Sequence, residues 1–441
     1  MLIILANMFW GLISIFVVPI FRDHPYSVLV IVFIRFIFGG LIMFTIVVSM
    51  IGVHWVRTKR KLPQTTSFFQ TGWEDIKHYL LSRNKLFLNV PRLVYIFILA
   101  FFGVTLNVST YFVGMNQLPL VFMLLGAPGG FIILASAYNV VKGKEKLSLF
   151  KAIYIFLMIL SLILVALAQQ KVGTMDPTMV GITALFLNII SVFIYYVYVG
   201  RDSYTREETI LKKPRTGNYR LMRTMTKLAL FMLFGAISAI AIVPVCAILP
   251  FKYLNNLASG FIAEFGFFFS GAYLGQLIFL IIACTVLPNL FVFLASMWWD
   301  SESAFTFEAW TSILNLIDPI TGITTSVIAG LETVDIVFLS LTLIVLTVAI
   351  LLRFVHERES KINVLIYLKI KQGFLKEALQ FLIGLKEIRK FFYITGKADV
   401  AIKATFGSVR EFYAFLSHVA LRKHIKIKYD LISFVEKIVT E

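Results

Sequence analysis

"VLVIVFIRFIFGGLIMFTIVVSM" runs from Val28 to Met50 with one charge, Arg35. As a helix, a stretch of this length rises roughly 34 Å, enough to cross a hydrocarbon core of about 30 Å. Similar runs recur along the 441 residues, which are 59% hydrophobic and 15% charged and include 43 phenylalanines. Mean hydropathy is +0.87. A water-soluble domain has no interior large enough for that much apolar surface. In lipid every backbone polar group must be satisfied internally, which leaves helices or closed barrels, and these runs are too long and too uniformly apolar for barrel strands. The sequence therefore predicts a polytopic α-helical membrane protein.

Working outward from this run (26–52), nine more read as spans: 2–21, 93–116, 118–141, 149–168, 178–200, 228–250, 274–297, 304–330 and 334–355. The first has no basic n-region and no small-residue cleavage site, so it reads as a retained helix. Residues 251–273, with Glu264 their only charge after Lys252, read as a re-entrant or interfacial segment, or as an eleventh span. Lys and Arg crowd the segments 53–92, 142–151, 201–227 and 353–361, whereas the opposite loops offer Arg22, Lys171 and Lys252. With ten spans every rich segment falls on one side. The positive-inside bias then places that side and both termini in the cytoplasm, with the plasma membrane as the expected location. The net charge of +17 is explained this way without nucleic acid.

The chain also shows a weak internal repeat. "GAPGGFIILASAYNVVKGKEKLSLF" (126–150) and "LIDPITGITTSVIAGLETVDIVF" (316–338) each place a proline (Pro128, Pro319) before small residues, a Glu-led turn (Glu145 to Ser148, Glu332 to Asp335) and a final apolar run. Five spans per half is an odd number, so two such halves must be inverted. Inverted repeats with interrupted helices mark transporters, with the substrate site near the midplane.

On "ANMFWGLISIFVVP" (6–19), Arg35 in "IRFIFGGLIMF", the two Pro-to-Glu segments and "DPTMVGITALFLNIISVFIYYVY" (176–198), the chain resembles the drug/metabolite transporter superfamily of the EamA type. That resemblance implies two five-helix repeats, 1–170 (carrying the basic loop 53–92) and 171–356. It also implies a central cavity lined by Trp10, Asn107, Tyr111, Asn116, Asn188, Tyr195, Asn289, Trp310 and Asn315. Read as residues alone, the asparagines also suit plain interhelical hydrogen bonding.

Asp318 is the most expensive residue, a carboxylate mid-span that costs about 2.5–3.5 kcal/mol on insertion scales. The expectation is proton coupling or substrate-amine binding, with Arg35 as its named partner, or a structural Arg35–Asp318 pair. Prolines at 128, 244, 288 and 319 free the carbonyls of Leu124, Ile240, Cys284 and Asn315. Helix breaks are expected at Pro128 and Pro319. Cys246 and Cys284 sit in apolar runs and read as core packing. No catalytic, metal-ligating or phosphate-binding motif is present, so neither an enzyme nor a cofactor is expected.

The tail differs in kind. "YITGKADVAIKATFGSVREF" (393–412) alternates and turns like soluble α/β structure. Alternating runs at 364–370, 400–406 and 425–431, a further strand at 388–395, and helical spacing at 375–382 and 409–420, with Ser408 placed to cap, predict a β-α-β-β-α-β ferredoxin-like sandwich. That order, with Thr395, Gly396 and Asp399 between the middle strands, resembles the ligand-binding domain of the Lrp/AsnC family over 361–441. The resemblance implies dimerisation through the sheets and an amino-acid or related metabolite held near Gly396 and Asp399. Here Ala398 replaces the usual aromatic residue. A tight turn explains Gly396 and Asp399 equally well. No helix-turn-helix precedes the domain, so DNA binding is not implied.

The expected function is a secondary transporter of small organic metabolites, amino-acid export included, working by alternating access. Its partners would be the bilayer, the metabolite and a second copy bound through the C-terminal domain. The rival is a membrane-anchored metabolite sensor or scaffold that moves nothing.

Overall fold

A computed structural model describes residues 1–61, 73–84, 89–141, 149–172, 178–199, 217–269, 271–298, 311, 314–331, 333, 335–359, 362–385, 387–394, 396, 398–406, 409–422 and 424–434. These form two compact units, one ending at Leu351 and the other starting at Leu352.

In the first unit, α1 (Leu2–Gly11) and α2 (Ile13–Asp23) make one crossing with a single-residue offset at Leu12. The opening stretch lies within α3 (Val28–Lys61). After α4 (Glu74–Leu81) and a short bridge of β1 (Arg83–Asn84) with β2 (Val90–Pro91), the third crossing is α5 (Arg92–Ala100), a π-turn (Phe101–Leu106) and α6 (Asn107–Gln117). Then follow α7 (Leu120–Val141), α8 (Leu149–Val172), α9 (Met179–Val199) and α10 (Gly217–Ile248). The short α11 (Lys252–Phe265) precedes α12 (Leu274–Ile281), a second π-turn (Ile282–Val286) and α13 (Leu287–Trp298). The last two helices are α14 (Ile317–Ile328) and α15 (Ile336–Glu359).

Among the described residues seven crossings are long and apolar enough to span a membrane: Leu2–Asp23, Val28–Val56, Arg92–Gln117, Leu120–Tyr138, Met179–Val199, Leu221–Ile248 and Leu274–Met297. The chain is multi-pass by this measure. Of the other three expected spans, 149–168 and 334–355 appear as shorter apolar helices, Ala152–Leu167 and Ile336–Leu352. Most of 304–316 lies outside the described residues. The 251–273 stretch is not an eleventh span. Its α11 has 14 residues, so it is about 21 Å long, short of the core thickness.

Helix α7 also departs from expectation. It passes Pro128 without a break, because a proline costs only its own hydrogen bond and neighbouring helices can hold the rest of the turn. Pro319 instead lies in the first turn of α14, whose N–H groups have no acceptor within the helix in any case.

Packing comes in matched sets. Helix α1 packs on α13 and on α14, while α9 packs on α6 and on α7. At the centre α3 lies along α10. Lipid gives no hydrophobic drive between helices, so close approach does the work. At Gly11 a Cβ would sit 2.7 Å from Thr321 Cβ and 2.9 Å from the Asp318 carbonyl oxygen. One turn further on, the Ser14 and Ser326 hydroxyls meet at 2.9 Å.

The second unit holds β3 (Ile362–Ile370), α16 (Leu375–Gly384), β4 (Ile388–Tyr393), β5 (Val400–Phe406), α17 (Val409–Ala420) and β6 (Ile425–Phe434). The strands form one antiparallel sheet in the order β4-β5-β3-β6. Val364, Ile366 and Leu368 on β3 and Val400, Ile402 and Ala404 on β5 are buried, as a period of two demands. Leu382, Phe412, Leu416 and Val419 from the helices close the core, and Phe406 meets Phe412 and Phe415 edge-on. Each large side chain buried here contributes about 1.5–3 kcal/mol. The expected cap at Ser408 lies outside the described residues.

Candidate functional site

Arg35 lies seven residues into α3 and is 1% exposed. A guanidinium in a span needs partners, and the π-turn between α12 and α13 supplies them. Nε donates to Thr285 Oγ1 at 2.8 Å, and Nη2 donates to the Cys284 carbonyl at 3.1 Å. Pro288 has no N–H, so that carbonyl lacks its usual donor four residues on. Thr285 Oγ1 passes its own proton to the Leu280 carbonyl at 2.7 Å. The rings of Phe112 and Phe36 lie 5.2 and 5.7 Å from Arg35 Cζ, within cation–π range. Nη1 is buried with no protein partner.

Asp318 is not mid-helix. The chain turns at Asn315 and Leu316, and Asp318 stands in the first turn of α14. There the free N–H groups and the positive end of the helix favour a carboxylate. Its Oδ1 is buried without a partner. Arg35 and Asp318 line the same cavity, but no ion pair joins them. The expected pair is not formed: the π-turn holds Nε and Nη2, and Nη1 and Asp318 Oδ1 are each left without a protein partner.

That cavity encloses about 780 Å³, counted out to its mouth. Of the residues expected to line a site, Trp10, Arg35, Asn107, Tyr111, Asn188, Tyr195, Asn289, Asn315 and Asp318 do so, as does Pro128. Asn188 Nδ2 donates to both the carbonyl and Oδ1 of Asn107, each at 2.8 Å. Asn107 Nδ2 in turn donates to the Gly103 carbonyl at 3.3 Å. Asn289 Nδ2 donates to the Thr285 carbonyl at 2.8 Å. The Asn188 Oδ1 and Tyr195 hydroxyl are buried without partners.

Two expected residues do not line it, and a third cannot be placed. Asn116 sits in the last turn of α6, beyond the cavity, and donates to the Pro25 carbonyl at 2.7 Å and to the Tyr253 hydroxyl at 3.3 Å. Pro319 faces elsewhere. Trp310 lies outside the described residues.

The sequence reading missed Tyr196, whose hydroxyl donates to Asn315 Oδ1 at 3.3 Å, and Thr285. A polar residue three before a proline was the available signal for Thr285. It also missed Gly103, where a Cβ would stand 2.5 Å from the Tyr195 ring, so only glycine admits that ring. Among the described residues no three His, Cys, Asp or Glu gather as a metal site would require.

In the second unit Gly396 has φ +116°, a left-handed conformation that suits glycine. Both Asp399 oxygens are occupied. Oδ2 accepts from the Ile370 N–H at 2.7 Å and Oδ1 from Lys369 Nζ at 3.0 Å. The Ile370 N–H, and after it Lys369, hold the Asp399 carboxyl below the ordinary range. The carboxylate thus staples the end of β3 and not the backbone of its own turn.

When the chain is compared with protein-family models and with curated proteins, none matches it.

Proposed function

We propose that the protein is a secondary transporter of small organic metabolites, and that its substrates are zwitterions such as amino acids. One observation carries this reading. A single cavity in the membrane unit is lined by both Asp318 and Arg35, and each of these residues keeps a buried polar atom (Oδ1 and Nη1) without a protein partner. Unpaired polar groups are costly in a low-dielectric interior. A solute carrying an amine and a carboxylate would satisfy both at once, with Tyr195 and Asn188 as further contacts. No bond is made or broken in this reading.

The packing of α1 on α13 and α14, mirrored by that of α9 on α6 and α7, supports two inverted five-helix repeats, as do the π-turns between α5 and α6 and between α12 and α13. Counted with the two shorter apolar helices and with α14, the proposed topology is ten spans with both termini in the cytoplasm, in the plasma membrane. Alternating access would then rock one repeat against the other. The strand order β4-β5-β3-β6 is the one a ferredoxin-like domain requires and supports the likeness to the Lrp/AsnC ligand-binding domain. Its role in this reading is self-association or metabolite-dependent regulation.

The test is flux in proteoliposomes containing the full chain. Labelled leucine should exchange, whereas leucinamide (no carboxylate) and isocaproate (no amine) should not. If no solute moves faster than through protein-free vesicles, the sensor or scaffold reading replaces this one.

A further inference from the structure

Polar contacts cluster at the end of the membrane unit that carries the turn between α2 and α3, and each joins the first half of the chain to the second. Arg22 Nη2 donates to the Leu331 carbonyl at 2.6 Å. Tyr273 donates its hydroxyl proton to Asp23 Oδ2 at 2.6 Å. His24 Nδ1 lies 2.7 Å from Glu264 Oε2. Asn116, whose Nδ2 is already on the Pro25 carbonyl, also reaches Tyr253 at 3.3 Å.

Apolar contacts follow the same line. The His24 ring lies over Phe267 at 4.3 Å, Tyr26 neighbours Tyr253 at 5.9 Å, and Phe33 packs on Phe261 and Phe265. A Cβ on Gly260 would come within 2.6 Å of the Tyr26 carbonyl oxygen, so α11 lies directly on this turn. None of these residues lines the cavity. Phe21, the neighbour of Arg22 in α2, meets Phe112 edge-on, and Phe112 is itself a lining residue.

We propose that α11, with Phe267, Phe268 and Tyr273 after it, forms a strap that closes this mouth of the cavity. In this structure the strap is fastened by its contacts with Asp23, His24 and Asn116. The proposal rests on the transport reading and names the gate of the same site. The chemistry suits a gate. A wholly apolar seam would be hard to part, whereas partly exposed ion pairs and hydrogen bonds are individually weak and exchange readily with water. Helix α11 is too short to be held by crossing the bilayer, so its position depends on what it touches. The π-turn that holds Arg35 follows directly on α12, the helix the strap leads into. Movement of the strap would therefore pull on the segment that positions Arg35.

A cross-link tests this. In the full chain carrying Cys246→Ala and Cys284→Ala, His24→Cys and Glu264→Cys are joined by a short cleavable bifunctional thiol reagent, and leucine exchange is read in proteoliposomes. Linking should cut exchange by about tenfold or more, as expected when opening limits turnover, and cleavage should restore it. Unchanged exchange with the linker shown in place overturns the strap.

If the unlinked protein exchanges neither leucine nor any other amino acid, the transport reading has failed. The strap is then judged by spin-label distance between Pro25→Cys and Ile262→Cys in nanodiscs. Cutting the ties with Asp23→Asn and Glu264→Gln should add a population longer by about 5 Å, the scale of a one-turn shift. An unaltered distribution overturns the strap independently of any flux.

Discussion

In the membrane unit Asp318 keeps a buried carboxylate oxygen with no protein partner, while in the C-terminal unit Asp399 gives both oxygens to β3. Each stands beside the end of a regular element, and each drew attention in the sequence. The fold completes one and leaves the other open. A completed carboxylate is part of what holds the structure together. An open one is a liability for stability that makes sense when something else completes it. The two aspartates should therefore respond oppositely to the same substitution.

The largest effect is expected at Asp318. Asp318→Asn keeps the shape and removes the buried charge. Leucine exchange should fall by about 100-fold, equivalent to roughly 3 kcal/mol of lost charge pairing, while the thermal midpoint stays level or rises. A midpoint that drops by several degrees would make Asp318 structural and dissolve the contrast with Asp399. Arg35 is intermediate, since it is held by the π-turn on one side and open on the other. Arg35→Lys keeps the charge but cannot make the forked contact with Thr285 and Cys284. Stability should fall by about 1–3 kcal/mol for the carbonyl and hydroxyl left unpaired, and leucine affinity should fall with it. If affinity falls while denaturant midpoints do not move, the π-turn contacts are incidental.

These two residues show what was legible in the chain. Arg35 and Asp318 stood out because a charge inside an apolar run is expensive wherever it points. The asparagines and tyrosines of the cavity were visible for the same reason. Their mutual geometry was not. The sequence suggested that Arg35 and Asp318 pair: it showed that Pro288 frees the Cys284 carbonyl, but not that this carbonyl lies against the guanidinium. Asn116 was misplaced because hydropathy marks where a span lies but not the level at which its last turn leaves the cavity. Phe36, Phe112 and Val192 carried no signal, since an apolar residue facing a cavity looks like one facing lipid. In the C-terminal unit the period-two alternation made the strands easy to read, and the partners of Asp399 were invisible because they come from a strand thirty residues earlier.

Gly11 sharpens the contrast from a distance. It touches no substrate in this reading, but its lack of a side chain lets the first crossing come within contact of Thr321 and the Asp318 backbone. Gly11→Val should force α14 away. Overpacking of this kind costs about 1–3 kcal/mol, and leucine affinity should drop because Asp318 moves with its helix. Gly52, where a Cβ meets nothing within 4 Å, is the control: Gly52→Val should leave affinity unchanged. Equal loss in both variants would mean that the crossing does not set the position of Asp318.

Asp399→Asn should have the smallest effect. The side chain is about one-third exposed, so solvent screens the Lys369 contribution, and the loss should be about 1 kcal/mol or less. It should appear as faster amide exchange at Ile370, whose N–H loses a charged acceptor, with leucine flux unchanged. The pH dependence fixes the sign. The folded carboxyl titrates below its unfolded value, which is about 3.9. Its contribution is therefore full above that value and fades as pH falls through the lower, folded one. The wild type should thus lose this increment only on the acid side of about pH 4, while the Asn variant has none to lose. If instead the variant keeps its stability but loses a response of flux to added metabolites, Asp399 belongs to a ligand site, and the two aspartates are alike after all.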